Sequence, residues 1–98
     1  MKFGYTIIYV PDVPASLTFF ERAFGFSRRF LHESQTYGEL DTGETTLSFA
    51  AHALGDMNFN GGHVEASSSS KPLGMEVAFV TDDVAAAHAQ AVSAGATE

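Results

Sequence analysis

The side chains of residues 2–10 divide into two alternating sets, the more aromatic of which lies on one face, and this period of two predicts a β-strand. The residue types are those that favour a pleated, half-buried strand. One face of the strand would carry Phe3, Tyr5, Ile7 and Tyr9, and the other would carry Thr6, Ile8 and Val10.

The pattern then changes to one typical of an amphipathic helix. Asp12 supplies a carboxylate that can accept hydrogen bonds from the free amides of a first helical turn, in which Pro14 fits well. Gly25 can adopt the left-handed conformation that ends a helix. The apolar residues at helical spacing are Leu17, Phe20 and Phe24, and we predict a helix over residues 15–24.

Further strand-like segments follow at residues 26–32, 37–41 and 45–51. They are separated by short polar stretches, residues 33–35 and 42–43, of the kind that form tight turns. A strand, a helix and a meander of strands make a βαβββ unit. We therefore predict a fold of the α+β class.

Residues 54–72 are rich in Gly, Asn and Ser, which predicts a long loop. After it, an apolar strand is predicted over residues 75–80 and an alanine-rich helix over residues 85–94, closed by Gly95. A shift of 71 residues superposes the first unit on this second one as a weak internal repeat. The matched pairs are Tyr5 and Glu76, Ile8 and Phe79, Asp12 and Asp83, Val13 and Val84, and Ala15 and Ala86.

The whole chain is predicted to form a single domain, because 98 residues are too few for two cores. Residues 1–53 would be the first βαβββ module, residues 54–73 the linker, and residues 74–98 the start of a second module truncated after βα. A lone strand in such a module has an unpaired edge. We expect either that the polypeptide continues past Glu98 or that a neighbouring chain supplies the missing strands.

Composition and charge narrow the classes of partner. Twelve acidic and five basic residues give a net charge of −7, which disfavours nucleic acid and anionic membranes and attracts cationic small molecules, although it also serves solubility alone. The chain has no cysteine, which excludes disulfides and thiolate chemistry. Without a signal-like or membrane-spanning run, we expect a cytoplasmic protein that binds neither nucleic acid nor membrane.

Residues 7–26, IIYVPDVPASLTFFERAFGF, combine a strand, an Asp, a helix start of small residues, an aromatic pair and a closing Gly-Phe. Residues 75–84, MEVAFVTDDV, repeat the opening of this pattern. The combination resembles the vicinal-oxygen-chelate superfamily, which includes glyoxalases, bleomycin-resistance proteins and extradiol dioxygenases. The resemblance implies paired βαβββ modules that enclose a cleft, often completed across a homodimer.

The resemblance also implies four positions for metal ligands, on the first and last strands of each module. By position, these fall on Tyr5, near Ser48, on Glu76 and past Glu98. Only Glu76 is an ordinary ligand for a divalent metal, whereas a catalytic site needs about three strong protein ligands. The expectation is therefore that the chain has no metal cofactor and lacks glyoxalase-type or extradiol chemistry.

Alternation along the strands defines the candidate cleft. The side chains predicted to line it, and to bind a small molecule, are Tyr5, Ile7, Tyr9, Thr46, Ser48, Ala50, His52 and Glu76. An aromatic floor with few polar groups suits a flat organic ligand. The alternative is that Tyr5 and Tyr9 simply pack in a core.

Glu76 is the strongest single candidate, because a carboxylate within an apolar strand must face a cleft, find a partner or be protonated. It could hold a cationic ligand, act as a catalytic general base or bind a metal, or it could instead be a structural partner of Tyr5. A weaker alternative is a displaced metal site formed by Glu76, His52 and His63, although their spacing matches no local motif.

The remaining charged candidates are expected at the surface. His32 and His88 would be exposed on a strand and on a helix. Arg28 and Arg29 are adjacent and should point to opposite faces, where one could bind an anion or pair with Glu39 across the strands.

Three functional hypotheses follow. The first is a dimeric, non-enzymatic protein of the bleomycin-resistance type that binds an aromatic or cationic molecule in the cleft. The second is a metal-dependent glyoxalase-like lyase or dioxygenase with atypical ligands and a divalent metal cofactor. The third is a structural or interaction module. The sequence leaves open whether the protein is an enzyme and which ligand it takes.

Overall fold

The computed structural model describes residues 1–98 and has one mixed β-sheet flanked by helices. The elements are β1 (Tyr5–Val10), α1 (Val13–Phe24), β2 (Ser27–Leu31), β3 (Tyr37–Asp41), β4 (Thr46–Ala51), α2 (His52–Asn58), a 3₁₀ turn (Ala66–Ser68) and α3 (Val84–Ser93). The strands lie in the order β1-β4-β3-β2. β1 and β4 are parallel, and the other pairs are antiparallel. The predicted α+β class and βαβββ module are confirmed.

Strand register places alternate residues on the same face of the sheet. Ile7 on β1 and Glu39 on β3 both lie opposite Ser48 on β4, and Tyr9 and Tyr37 both lie opposite Ala50. We call this side, which also carries Tyr5 and Thr46, the open face. A bulge between Arg28 and Phe30 interrupts the ladder at the edge strand β2.

The hydrophobic core lies on the other side of the sheet, under α1. Its fully packed residues are Val13, Leu17, Leu40, Leu47 and Phe49, with Ile8 and Val10 packed against them. A side chain at Gly38 of β3 would clash with α1, because a Cβ there would lie 2.6 Å from Leu17 Cδ1. The helix therefore packs directly on the backbone of β3.

The predicted ends of α1 are confirmed. Asp12 Oδ1 accepts a 3.0 Å hydrogen bond from the backbone amide of Ala15, and Gly25 ends the helix with a left-handed φ of 76°. The helix begins at Val13, two residues before the predicted start at Ala15.

The prediction that residues 54–72 form only a loop is wrong at its start. β4 runs directly into α2, which includes Gly55 and Asp56, two residues that disfavour helix formation. Gly55 is nevertheless buried, and its missing side chain leaves room for the rings of His63 and Tyr9. Tertiary packing outweighs local propensity here.

The predicted strand over residues 75–80 is also wrong, because this segment forms no strand. A strand exists only where another strand supplies its hydrogen bonds, and the four-stranded sheet does not extend to these residues. They are exposed, and Val80 is fully so. Phe79 packs this segment against the end of α1 and the start of β2: its ring centroid lies 5.0 Å from that of Phe24 and 4.9 Å from that of Phe26.

The predicted helix over residues 85–94 is confirmed as α3. Asp83 Oδ1 accepts from the amide of Ala86 at 3.0 Å, which repeats the cap of α1 at the position that the internal repeat predicts. α3 packs on α1, and Gln90 Nε2 donates to the carbonyl of Arg22 at 2.9 Å. None of the helices has the length and apolar character needed to cross a membrane.

Candidate functional site

A cavity of about 400 Å³ lies at one end of the open face, between β1 and the residues that follow α2. Nine of its eleven lining residues are hydrophobic, which makes it a site for a largely apolar molecule. The lining residues are Ile7, Ile8, Tyr9, Phe59, His63, Val64, Ala66, Leu73, Met75, Glu76 and Val77.

Three of the predicted cleft residues meet in this cavity. Ile7 and Tyr9 come from β1, and Glu76 comes from the unpaired segment after the linker. Glu76 is the cavity's only acidic side chain, and it is exposed. Their role in binding stays a prediction, but the structure brings them to one place.

The other predicted cleft residues lie outside the cavity lining. Ser48 and Ala50 are buried within the sheet, and Tyr5 is exposed further along β1. His52 begins α2 and contacts His63, which does line the cavity. The candidate set is thus divided between a cavity and the sheet beside it.

The cavity wall formed by Phe59, Val64 and Leu73 could not be predicted from the sequence. These residues belong to a segment whose composition predicts a loop, and no periodicity marks their side chains as inward-facing. Phe59 packs edge-on against Tyr9, with ring centroids 5.6 Å apart. The wall arises from the path of the chain after α2.

A polar network occupies the middle of the open face. The Tyr37 hydroxyl lies 2.8 Å from Glu39 Oε2 and 3.1 Å from Ser48 Oγ. Because the hydroxyl has a single proton, which it donates to the carboxylate, Ser48 donates to the phenol oxygen. Burial raises the pKa of Tyr37 above its usual 10.0; the Ser48 hydrogen bond opposes this rise, and Glu39 adds to it.

These contacts show that the strand positions do not fit a metal. Ser48 is fully buried and engaged with Tyr37, while Tyr5 offers only a phenol. No group of three or more His, Asp or Glu side chains is arranged to hold an ion, so Glu76 does not join His52 and His63 in a metal cluster. The displaced three-residue site considered from the sequence is absent from the structure.

Two of its members do meet. His52 Nδ1 lies 3.0 Å from His63 Nε2, and His52 Nε2 lies 3.3 Å from Ser67 Oγ. On the far side of His63, Nδ1 lies 3.2 Å from Asp56 Oδ1, but the approach falls outside hydrogen-bond geometry and leaves this buried nitrogen unpaired. The side chain of His63 is only 10% exposed.

Glycines position this histidine pair. Gly61 and Gly62 have φ values of 88° and 83°, in the left-handed region that side chains disfavour, and they turn the chain back over α2. Gly55 lets the His63 ring approach, since a Cβ there would lie 2.6 Å from His63 Cε1. A residue eleven positions after His52 is thereby brought into contact with it.

The arginines point to opposite faces, as predicted. Arg28 pairs with Glu21 of α1 at 2.7 Å. Arg29 donates to Thr46 Oγ1 at 2.8 Å on the open face and lies 3.4 Å from Asp41. Neither pairs with Glu39, whose carboxylate accepts from the Tyr37 hydroxyl instead.

The exposed positions predicted for His32 and His88 are confirmed. His32 lies just after β2 and contacts Ser34, with Nδ1 2.7 Å from its hydroxyl. His88 lies on α3.

Comparisons with known proteins agree with this fold. The model of the family described as Glyoxalase/Bleomycin resistance protein/Dioxygenase superfamily matches residues 2–98. A comparison with curated proteins gives no match.

Solved structures share the fold. A gene product from Arabidopsis thaliana superposes with a TM-score of 0.72 at 23% identity, over 99% of this chain and 74% of that one. A structure from Burkholderia phytofirmans PsJN, described as a glyoxalase/bleomycin resistance protein/dioxygenase family enzyme, superposes with a TM-score of 0.62 at 23% identity, over 94% of this chain and 72% of that one. A bleomycin resistance determinant encoded on the transposon Tn5 gives 0.61 at 21% identity, over 100% and 68%.

Proposed function

The chain belongs to the glyoxalase/bleomycin resistance protein/dioxygenase superfamily, and we propose that it binds a flat, cationic organic molecule in the cavity between Tyr9 and Glu76 without transforming it. The observation that carries this proposal is the lining of the cavity: hydrophobic residues predominate, and Glu76 is the one acidic group among them. A cavity of about 400 Å³ suits a small organic ligand.

The proposed binding rests on two physical contributions. Ile7, Tyr9 and Phe59 offer apolar and aromatic surface, whose burial by a planar ligand is favourable by roughly 25 cal/mol per Å². A ligand that covers Glu76 also removes water from around its carboxylate, which strengthens attraction to a positive charge. The net charge of −7 would steer cations toward the protein.

We do not expect catalysis of the metal-dependent type, because the residues present do not form the metal site of the superfamily's enzymes. Tyr5 and the buried Ser48 occupy two of its positions, and Ser48 is already hydrogen-bonded to Tyr37. We therefore favour binding over the alternative of a metal-dependent lyase or dioxygenase.

The proposal includes a homodimer. Residues 75–80 carry exposed apolar side chains, among them Met75, Val77 and Val80, and form no hydrogen-bonded strand. A second copy that pairs with this segment would satisfy its backbone and cover Val80, which is fully exposed and does not line the cavity. Light scattering at micromolar concentration should give twice the chain mass. A monomer that unfolds cooperatively would contradict this part of the proposal.

The cationic preference is tested with two probes of the same shape, N-methylquinolinium and its uncharged isostere methylnaphthalene. Glu76→Gln keeps the side-chain shape and removes the charge. We expect it to weaken N-methylquinolinium binding by about tenfold, near 1.4 kcal/mol, and to leave methylnaphthalene unchanged. Titration calorimetry and tyrosine fluorescence would measure both affinities.

Glu33→Gln is the matched control, because Glu33 is an exposed carboxylate in the turn between β2 and β3, outside the cavity. It removes the same charge from the protein and should leave both affinities unchanged. If the protein binds neither probe, or binds both equally before and after Glu76→Gln, the proposal is wrong. A lower melting temperature with unchanged binding would make Glu76 a structural residue.

A further inference from the structure

Each of the four ring nitrogens of His52 and His63 has a polar atom close to it, which is more than a hydrogen bond between the two rings requires. The inner nitrogens, Nδ1 of His52 and Nε2 of His63, face each other at 3.0 Å. Each outer nitrogen has an oxygen beside it: Ser67 Oγ is 3.3 Å from His52 Nε2, and Asp56 Oδ1 is 3.2 Å from His63 Nδ1.

We propose that the two inner nitrogens form a binding site for a divalent transition metal of the zinc, nickel or copper class. A zinc–nitrogen bond is about 2.0–2.1 Å long, so the nitrogens of two histidine ligands of one zinc ion lie roughly 2.8–3.4 Å apart for bond angles between a right angle and the tetrahedral angle. The observed 3.0 Å separation is within this range. The ring centroids are 5.2 Å apart, so the two nitrogens point at each other, and each ring would have to turn for both lone pairs to point at one ion.

The outer oxygens supply the support that metal-binding histidines normally have. Such a histidine donates its other N–H to a carboxylate, carbonyl or water, which fixes the tautomer and the ring orientation. Ser67 Oγ lies 3.3 Å from His52 Nε2 and can accept its proton. Asp56 Oδ1 lies 3.2 Å from His63 Nδ1, but the His63 ring must rotate before this carboxylate can accept a hydrogen bond.

The proton count is unchanged by metal binding to the neutral rings. In the metal-free pair, one inner nitrogen carries a proton and donates it to the other. When His52 is the donor, metal binding moves its proton from Nδ1 to Nε2, where Ser67 Oγ accepts it. His63 keeps its proton on Nδ1, facing Asp56.

The buried Nδ1 of His63 is an independent indication that the metal-free geometry is incomplete. A polar nitrogen that is buried without a hydrogen-bond partner is destabilising, and most buried polar groups are paired. A rotation of the ring, imposed by a metal at Nε2, would let Nδ1 form its hydrogen bond with Asp56, which is 3.2 Å away.

The site has only two protein ligands, since no larger group of His, Asp or Glu converges there. Its remaining positions would be taken by water or by a donor atom of a molecule in the adjoining cavity, which His63 also lines. We expect the metal to exchange readily. The site lies on α2 and the loop after it, away from Tyr5 and Ser48, and it does not depend on the ligand proposed for the cavity.

Calorimetric titration of chelator-treated protein with zinc chloride and nickel chloride at neutral pH tests the site. We expect one ion per chain, and a loss of affinity of at least tenfold in both His52→Gln and His63→Gln. Asp56→Asn should weaken binding by about tenfold, as the loss of an outer-shell partner usually does. His88→Gln, an exposed histidine on α3, is the matched control and should bind like the original protein.

Nitrogen-detected imidazole NMR of the unaltered protein gives a second measurement that survives if a variant fails to fold. Zinc should shift the resonances of His52 Nδ1 and His63 Nε2 and leave those of His32 and His88 in place. The proposal is overturned if zinc does not bind at millimolar concentration, if it shifts other histidines, or if both glutamine variants bind normally. Binding of N-methylquinolinium to the metal-free protein reports separately on the proposed function.

Discussion

Residues 12–25 and residues 83–95 have similar sequences and lie in different surroundings. Each stretch begins with Asp-Val, and in each the Asp carboxylate accepts a 3.0 Å hydrogen bond from the amide three residues later. Yet Val13 is 1% exposed and Val84 is 73% exposed. A helix cap forms from local sequence alone, whereas burial depends on what packs against the helix.

The segments that precede these helices differ in the same way. Residues Tyr5–Val10 pair with β4 along their whole length and form β1. Residues 76–81, which match them in the internal repeat, form no strand. A strand needs a hydrogen-bonding partner along at least one of its edges, so an apolar segment becomes a strand only where another strand lies beside it.

The largest expected difference between the two regions is in side-chain truncation. Val13→Ala removes two methyl groups from the core and should lower the free energy of unfolding by about 2–3 kcal/mol. Val84→Ala makes the same change at an exposed position and should change it by less than about 0.5 kcal/mol. Urea unfolding followed by circular dichroism measures both; equal losses would show that α3 is packed as tightly as α1.

A smaller difference is expected from removing the caps. Asp12→Ala and Asp83→Ala should each destabilise a helix by about 1 kcal/mol. Because α1 carries the core, we expect the Asp12 change to lower global stability, and the Asp83 change to appear mainly as faster amide exchange within α3. Asp82→Ala removes a neighbouring carboxylate that caps nothing, and a similar effect from it would argue against capping.

The smallest expected effect is a loss of folding stability at alkaline pH, caused by the titration of Tyr37 in the sheet. Burial, with Glu39, holds the pKa of Tyr37 above 10.0, so the folded protein binds this proton more tightly than the unfolded chain. The resulting stability is fully present below about pH 10 and is lost as the pH rises through the folded pKa. Urea unfolding between about pH 8 and pH 11 should show this decline.

Tyr37→Phe should flatten that decline, because it removes the titrating group from the network with Glu39 and Ser48. Tyr9→Phe is the control, because Tyr9 is not among the groups that shift the pKa of Tyr37, and its hydroxyl only accepts a 3.3 Å hydrogen bond from Asn58 Nδ2. An equally steep decline in Tyr37→Phe would mean that other groups govern alkaline stability.

Much of the first module could be predicted from the sequence because its information is local. Alternation from Tyr5 placed Ile7 and Tyr9 on one face of β1, where the structure has them in the cavity. Asp12 and Gly25 marked the ends of α1, and the repeat matched Asp83 with Asp12, a position that the structure shows to cap α3. Each of these features depends on residues a few positions apart.

The candidate site was harder to predict from the sequence than the first module, because it depends on how distant parts of the chain come together. Glu76 was singled out as a carboxylate in an apolar segment, but only the fold shows that it meets Tyr9 across a cavity. The histidines were noted without a geometry, and the structure pairs His52 with His63 while leaving Glu76 out of a metal cluster.

By itself, the sequence determined the order of the elements in the first module, the caps of α1 and α3, and the alternating faces of the strands. These follow from side-chain period and from hydrogen bonds that span one helical turn. The tertiary structure alone decided that residues 75–80 stay unpaired, that Gly55 is part of a helix, and that His63 meets His52. In each case the outcome depends on groups that approach from elsewhere in the chain, and local periodicity carries no information about them.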